Sequence, residues 1–121
     1  MKIITTILIA IVAILHIYFL ILEMFFWTKP KGLKAFGLKK DFAEQSKVLA
    51  ANQGLYNGFL AAGLIWSIVQ NNSDTALPLK VFFLICVIIA GSYGAYSTKK
   101  ISLFYIQAMP AIFALALILI T

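Results

Sequence analysis

Ile3-Ile-Thr-Thr-Ile-Leu-Ile-Ala-Ile-Val-Ala-Ile-Leu-His16-Ile-Tyr-Phe-Leu-Ile-Leu-Glu23-Met-Phe-Phe-Trp27 is a long apolar run carrying one imidazole and one carboxylate. At about 1.5 Å per residue, a helix of this length crosses a hydrocarbon layer about 30 Å thick. The run is too long for a signal-peptide core and has no small-x-small cleavage site before its polar flank, so it reads as a retained transmembrane helix.

Three further segments follow the same logic. Asp41-Phe-Ala-Glu44 introduces the second; at that spacing Asp41 caps a helix N-terminus while Glu44 reaches back, and the span covers 48–70. Asn71-Asn-Ser-Asp74 is a run of turn formers, and Pro78 is tolerable in a first helical turn, so a third helix begins near Thr75 and its span covers 77–97. Thr98-Lys-Lys100 breaks the chain before a fourth span, 101–120, in which Pro110 removes one backbone hydrogen bond to Ile106 and predicts a kink. The expected fold class is all-α: one polytopic domain over residues 1–121, with four transmembrane helices in an antiparallel bundle.

Composition agrees. Hydrophobic residues make up 63% of the chain and charged residues 12%, and the mean hydropathy is +1.00, which is far from the makeup of a soluble domain. A net charge of +6 raises nucleic acid as a partner, but every basic residue is Lys and the lysines gather at the ends of apolar segments instead of forming a face, so nucleic-acid binding is not expected. With the single cysteine Cys86 in an apolar stretch, neither a disulfide framework nor a cysteine metal site is expected within one chain.

Lysine also gives direction, because loops rich in Lys or Arg stay on the cytoplasmic side. Lys29, Lys31, Lys34, Lys39, Lys40 and Lys47 fall in the first connection, and Lys99 and Lys100 in the third. These connections lie on one face of a four-span protein. The expectation is a multi-pass protein of the plasma membrane with both termini outside and loops 28–47 and 98–100 cytoplasmic. Loop 28–47, with Leu33, Phe36 and Phe42 among its lysines, is also suited to lie on the inner leaflet against anionic headgroups.

Polar groups inside a span are costly and must face protein or water. Measured along each helix from its cytoplasmic end, Glu23, Asn52, Gln53 and Tyr93 fall roughly 6 to 8 Å deep, Gln107 about 9 Å, Tyr56 and Asn57 roughly 12 to 14 Å, and His16 roughly 16 Å. Such agreement across four helices points to one shared site in the cytoplasmic half. Glu23 and His16 are its candidate acid and base, two turns apart on one face and lining one cavity without touching. Asn52 with Tyr56, and Gln53 with Asn57, are i,i+4 pairs on adjoining stripes; with Tyr93 and Gln107 they are the candidate ligand-binding groups. The competing reading has Glu23 near enough to the interface to reach water or pair with a cytoplasmic lysine, His16 bonded across helices, and the amides bonded to one another. One His and one Glu are too few for a metal site, and no nucleotide or flavin motif is present, so no metal or cofactor is expected. Gly54 and Gly58, continuing to Ala62, and Ala90 with Gly94 are spaced for close helix approach.

His16-Ile-Tyr-Phe-Leu-Ile-Leu-Glu23, Asn52-Gln-Gly-Leu-Tyr-Asn57-Gly-Phe, Ala90-Gly-Ser-Tyr-Gly-Ala-Tyr96 and Gln107-Ala-Met-Pro110-Ala together closely resemble a family of small four-span microbial membrane proteins, a domain of unknown function. The resemblance covers essentially the whole chain and implies a four-span fold without an assigned chemistry. In length and span number the chain is also similar to small multidrug resistance exporters, which place a Glu in the first helix. In those the Glu lies near mid-helix, whereas Glu23 is nearer the cytoplasmic end, so the likeness is one of architecture.

The leading functional expectation is a polar intramembrane pocket that binds or transforms a small amphipathic or lipid-like molecule. A proton-coupled transporter subunit working as a homo-oligomer, and an accessory membrane protein whose polar groups hold the bundle together, are the alternatives.

Overall fold

The computed structural model describes residues 2–121, and they are almost wholly helical. Helix α1 spans Lys2–Phe25, α2 Pro30–Phe36, α3 Lys40–Val69, α4 Ser73–Thr98 and α5 Ile101–Ile120. Helices α1, α4 and α5 are long and apolar enough to cross a membrane, and no more than a third of each apolar stretch is buried inside the protein. Most of their apolar surface therefore faces outward, as it does where lipid is the solvent. Helix α3 is the longest at 30 residues, but Asn52, Gln53 and Asn57 make its central stretch less apolar than the other three.

Local signals account for the helix ends. Asn72 caps α4, its side-chain oxygen accepting from the Asp74 N–H at 2.9 Å, so α4 begins two residues before the expected Thr75 and Pro78 falls in its second turn. Helix α3 begins at Lys40, which places Asp41 inside the first turn; there its charge favours the helix dipole without serving as the cap. The connection expected as a lysine-rich loop contains α2, with Pro30 in its first turn. Gly37 closes α2 in the left-handed region at φ 62°, and the Leu38 N–H donates to the Leu33 carbonyl at 2.9 Å. A side chain at Gly37 would be strained there.

In α5 the chain answers Pro110 by widening the ladder one turn earlier. Phe104–Ala108 form a π-turn, and the Met109 N–H reaches back to the Phe104 carbonyl. Proline has no N–H to offer Ile106, and a local π-turn is a common way for a helix to absorb such a gap.

By contact density the chain resolves into two units. Of the described residues, one unit comprises 2–15 and 60–121, and its core joins Ile9, Val12 and Ala13 of α1, Leu64 of α3, Leu84 and Val87 of α4, and Ala111 and Ala114 of α5. Ser67 is fully buried in this unit and donates to the Leu64 carbonyl of its own helix at 2.6 Å. Helices α4 and α5 meet at Gly91, where an added Cβ would lie 2.9 Å from the Gln107 Cβ. Ala90 is exposed and Gly94 faces open space, so the close approach expected of that pair belongs to Gly91.

The other unit is residues 16–59. In it α1 and α3 run antiparallel, with Leu20 against Gly58 and Met24 against Gly54. Gly32 of α2 packs on the Phe26 carbonyl so closely that no Cβ fits. The stripe of small residues does not continue to Ala62, which is exposed; Ala61 is the buried one. Successive i,i+4 steps drift around a 3.6-residue helix, and an i+3 step brings the stripe back.

Candidate functional site

The last turn of α1 carries Glu23, and the side chain is only 2% exposed. Both of its oxygens are engaged by α3. Gln53 Nε2 donates to Oε2 at 2.5 Å, and Asn57 Nδ2 donates to Oε1 at 2.6 Å. Gln53 and Asn57 are one turn apart, so a single stripe of α3 presents two amides to one carboxylate. Gly54 lets this happen: a Cβ there would sit 3.1 Å from the Glu23 Cβ and 2.8 Å from the Met24 side chain. Among the described residues no lysine pairs with Glu23; the amides of α3 engage its oxygens instead.

Beside the carboxylate lies an open cleft of about 380 Å³, lined among others by Glu23, Met24, Trp27, Lys47, Ala51 and Asn52. Trp27, in its wall, is fixed to α3: the indole N–H donates to the Ser46 hydroxyl at 3.0 Å while that hydroxyl donates to the Phe42 carbonyl at 2.7 Å. Trp27 also packs on Phe36 of α2, ring centroids 5.1 Å apart. The Lys31 ammonium stands 5.8 Å from the Tyr18 ring centroid and 5.9 Å from that of Phe26, within range for cation–π attraction. Sequence reading missed this role for α2. Its signals were present in Pro30, Gly32 and Gly37.

His16 is fully buried, its ring edge-on to Phe19 at 5.7 Å. The cleft beside Glu23 is not lined by His16, so the two do not share this cavity. Asn52 lines the cleft and is exposed. Tyr56 is 61% exposed and leans on Phe59. The two stripes anticipated on α3 thus part company: Gln53 and Asn57 hold Glu23, while Asn52 and Tyr56 face outward. Tyr93 and Gln107 lie in the other unit, Tyr93 67% exposed beside Tyr96 and Gln107 in the π-turn against Gly91.

Chemically, the arrangement orients a carboxyl group and leaves the amide oxygens of Gln53 and Asn57 able to accept further hydrogen bonds. Among the described residues no three metal-ligating side chains come together.

The model of a family described as protein of unknown function (DUF1304) matches residues 10–119. The uncharacterized protein YpaA of Lactococcus lactis subsp. lactis (strain IL1403) is 33% identical over 102 residues, which cover 83% of this chain and 84% of that protein. No solved structure matches the chain. The match to the family spans both units and includes Glu23, Gln53 and Asn57, and on it the chain belongs to the DUF1304 family of proteins of unknown function.

Proposed function

We propose that the chain is a four-span protein of the plasma membrane whose Glu23 cleft takes a small amphipathic or lipid-like molecule from the cytoplasmic side. In this reading α3 is the second span, α5 bends at its π-turn, both termini are outside, and the Lys-rich α2 region lies against anionic headgroups of the inner leaflet. The observation that carries the proposal is a nearly buried carboxyl, oriented by two amides, in the wall of a cleft that also holds an indole, a lysine and apolar side chains. A cleft of about 380 Å³ is of ligand size, and apolar walls with a few convergent polar groups are the usual makeup of such sites. Lys47 and Trp27 suit a polar head at the interface; Met24, Val48 and Ala51 suit an apolar body; Asn52 can bond a hydroxyl or amine beside the Glu23 carboxyl.

Proton-coupled transport by an oligomer is the second reading, and the burial of Glu23 within α1 favours it, because intramembrane carboxyls often carry protons. Mass spectrometry of small molecules and lipids retained on gently purified protein tests the leading proposal. A discrete species held by the wild type and depleted in Glu23→Gln and Asn52→Leu is the expected result. Bulk lipid alone in all three would overturn it.

A further inference from the structure

Leu49, Asn52, Gln53, Tyr56 and Phe59 recur at i, i+3, i+4, i+7 and i+10 along α3, and all five are exposed. They form one continuous face. Ser46, bonded to the Trp27 indole, marks the interfacial level of this helix. From there Asn52 lies about 9 Å and Tyr56 about 15 Å further along the axis. If α3 crosses the bilayer, as the preceding proposal holds, the Asn52 carboxamide and the Tyr56 phenol point outward at the depth of the acyl chains, beside the edge of Gln53 that Glu23 leaves uncovered. Lipid tails offer them no hydrogen bonds, and polar groups in that position require a partner.

We propose that this face of α3 docks on the same face of a second copy of the chain, about a two-fold axis along the membrane normal. Copies inserted in one direction and related by such an axis meet with each residue opposite itself, at equal depth. That geometry rejects charges and favours groups that both donate and accept. Asn, Gln and Tyr are such groups, and the face from Leu49 to Phe59 carries no charged side chain. Leu49 and Phe59 close its two ends with apolar contact. Gln53 links the interface to the site: its Nε2 is committed to Glu23, and its carbonyl oxygen is left to accept from across the two-fold. The second copy thereby bears on the orientation of the carboxyl group.

Disulfide trapping in native membranes tests this, with Cys86→Ser as background. Single cysteines at Leu49→Cys, Asn52→Cys and Tyr56→Cys report the face, and Leu49→Cys leaves every polar group in place. Ile21→Cys, exposed on α1 at a depth similar to Tyr56, is the control. On mild oxidation, the three α3 variants should yield a linked species at twice the 13.4 kDa chain mass, at least fivefold above the control. No linked species, equal yield at all four positions, or linkage to a different protein would overturn the proposal. Labelling of cysteines at Gln45 and Asn72 with an impermeant maleimide separates the two failures. Opposite sides with no linkage sinks the dimer alone; the same side sinks the span and the dimer with it.

Discussion

A carboxyl group whose two oxygens are both held by amides responds to substitution in a way that separates bonding from charge. In Glu23→Gln the new side chain offers one oxygen and one NH2. Either Gln53 or Asn57 can turn its own oxygen toward that NH2, so both contacts survive with a single amide flip. Glu23→Leu leaves two amide donors facing an apolar group, a loss of about 2 kcal/mol. Thermal unfolding in detergent should therefore show Glu23→Gln close to wild type and Glu23→Leu clearly lower. Equal destabilisation by both would mean that the negative charge itself holds α1 to α3. Sequence depth placed Glu23 and Gln53 at one level and Asn57 about a turn deeper, because rise along a helix is fixed. It did not say which stripe of α3 faces α1. That azimuth is set by Gly54 and Gly58 packing on Met24 and Leu20, a pairing that depends on both helices at once. His16 shows the same limit: its position two turns from Glu23, with Phe19 or Leu20 between, was legible, but its absence from the cleft wall comes from packing.

At the scale of elements, the apolar runs announced α1, α4 and α5, and turn chemistry placed their ends to within a few residues. Helix α2 went unread because its seven residues are too short for periodicity to emerge above a cluster of lysines. The small-residue motif on α4 was legible as a packing signal but assigned to the wrong positions. Gly91, not Gly94, meets α5, because Leu84, Val87, Gly91 and Ala95 are the buried series of that helix. Substitution distinguishes the two. A Cβ at Gly91 would lie 3.0 Å from the Ala108 backbone nitrogen, which cannot swing aside, so Gly91→Ala should lower stability by about 2 kcal/mol. Gly94→Ala meets nothing within 4 Å and removes backbone freedom from the unfolded chain, a gain of about 0.5 kcal/mol. Parallel melts of the two variants in one detergent check both signs. Equal losses would place α5 against Gly94 as well.

For the whole molecule, the decisive quantity is the number of crossings, and it turns on α3. With three crossings, residues 37 and 72 share one side of the membrane and α3 lies along the surface. Its exposed Leu49, Tyr56 and Phe59 would then be interfacial, and Glu23 would be bonded at the membrane surface. With four, the two residues fall on opposite sides and the polar face of α3 lies within the bilayer. Length favours four: α3 has 30 residues, more than the ~20 a crossing needs. Charge favours it too, since its lysines and acids stop at Lys47 and the remaining 22 residues, Val48–Val69, carry none. Single cysteines at Gly37, Asn72, Lys99 and Thr121 in the Cys86→Ser background, treated with an impermeant maleimide on intact cells, give the answer directly. Four crossings with the lysines inside predict labelling at 72 and 121 in intact cells, and at 37 and 99 only after permeabilisation. Three crossings predict that 37 and 72 respond alike, and then residues 99 and 121 still differ, because α5 stands between them in either arrangement.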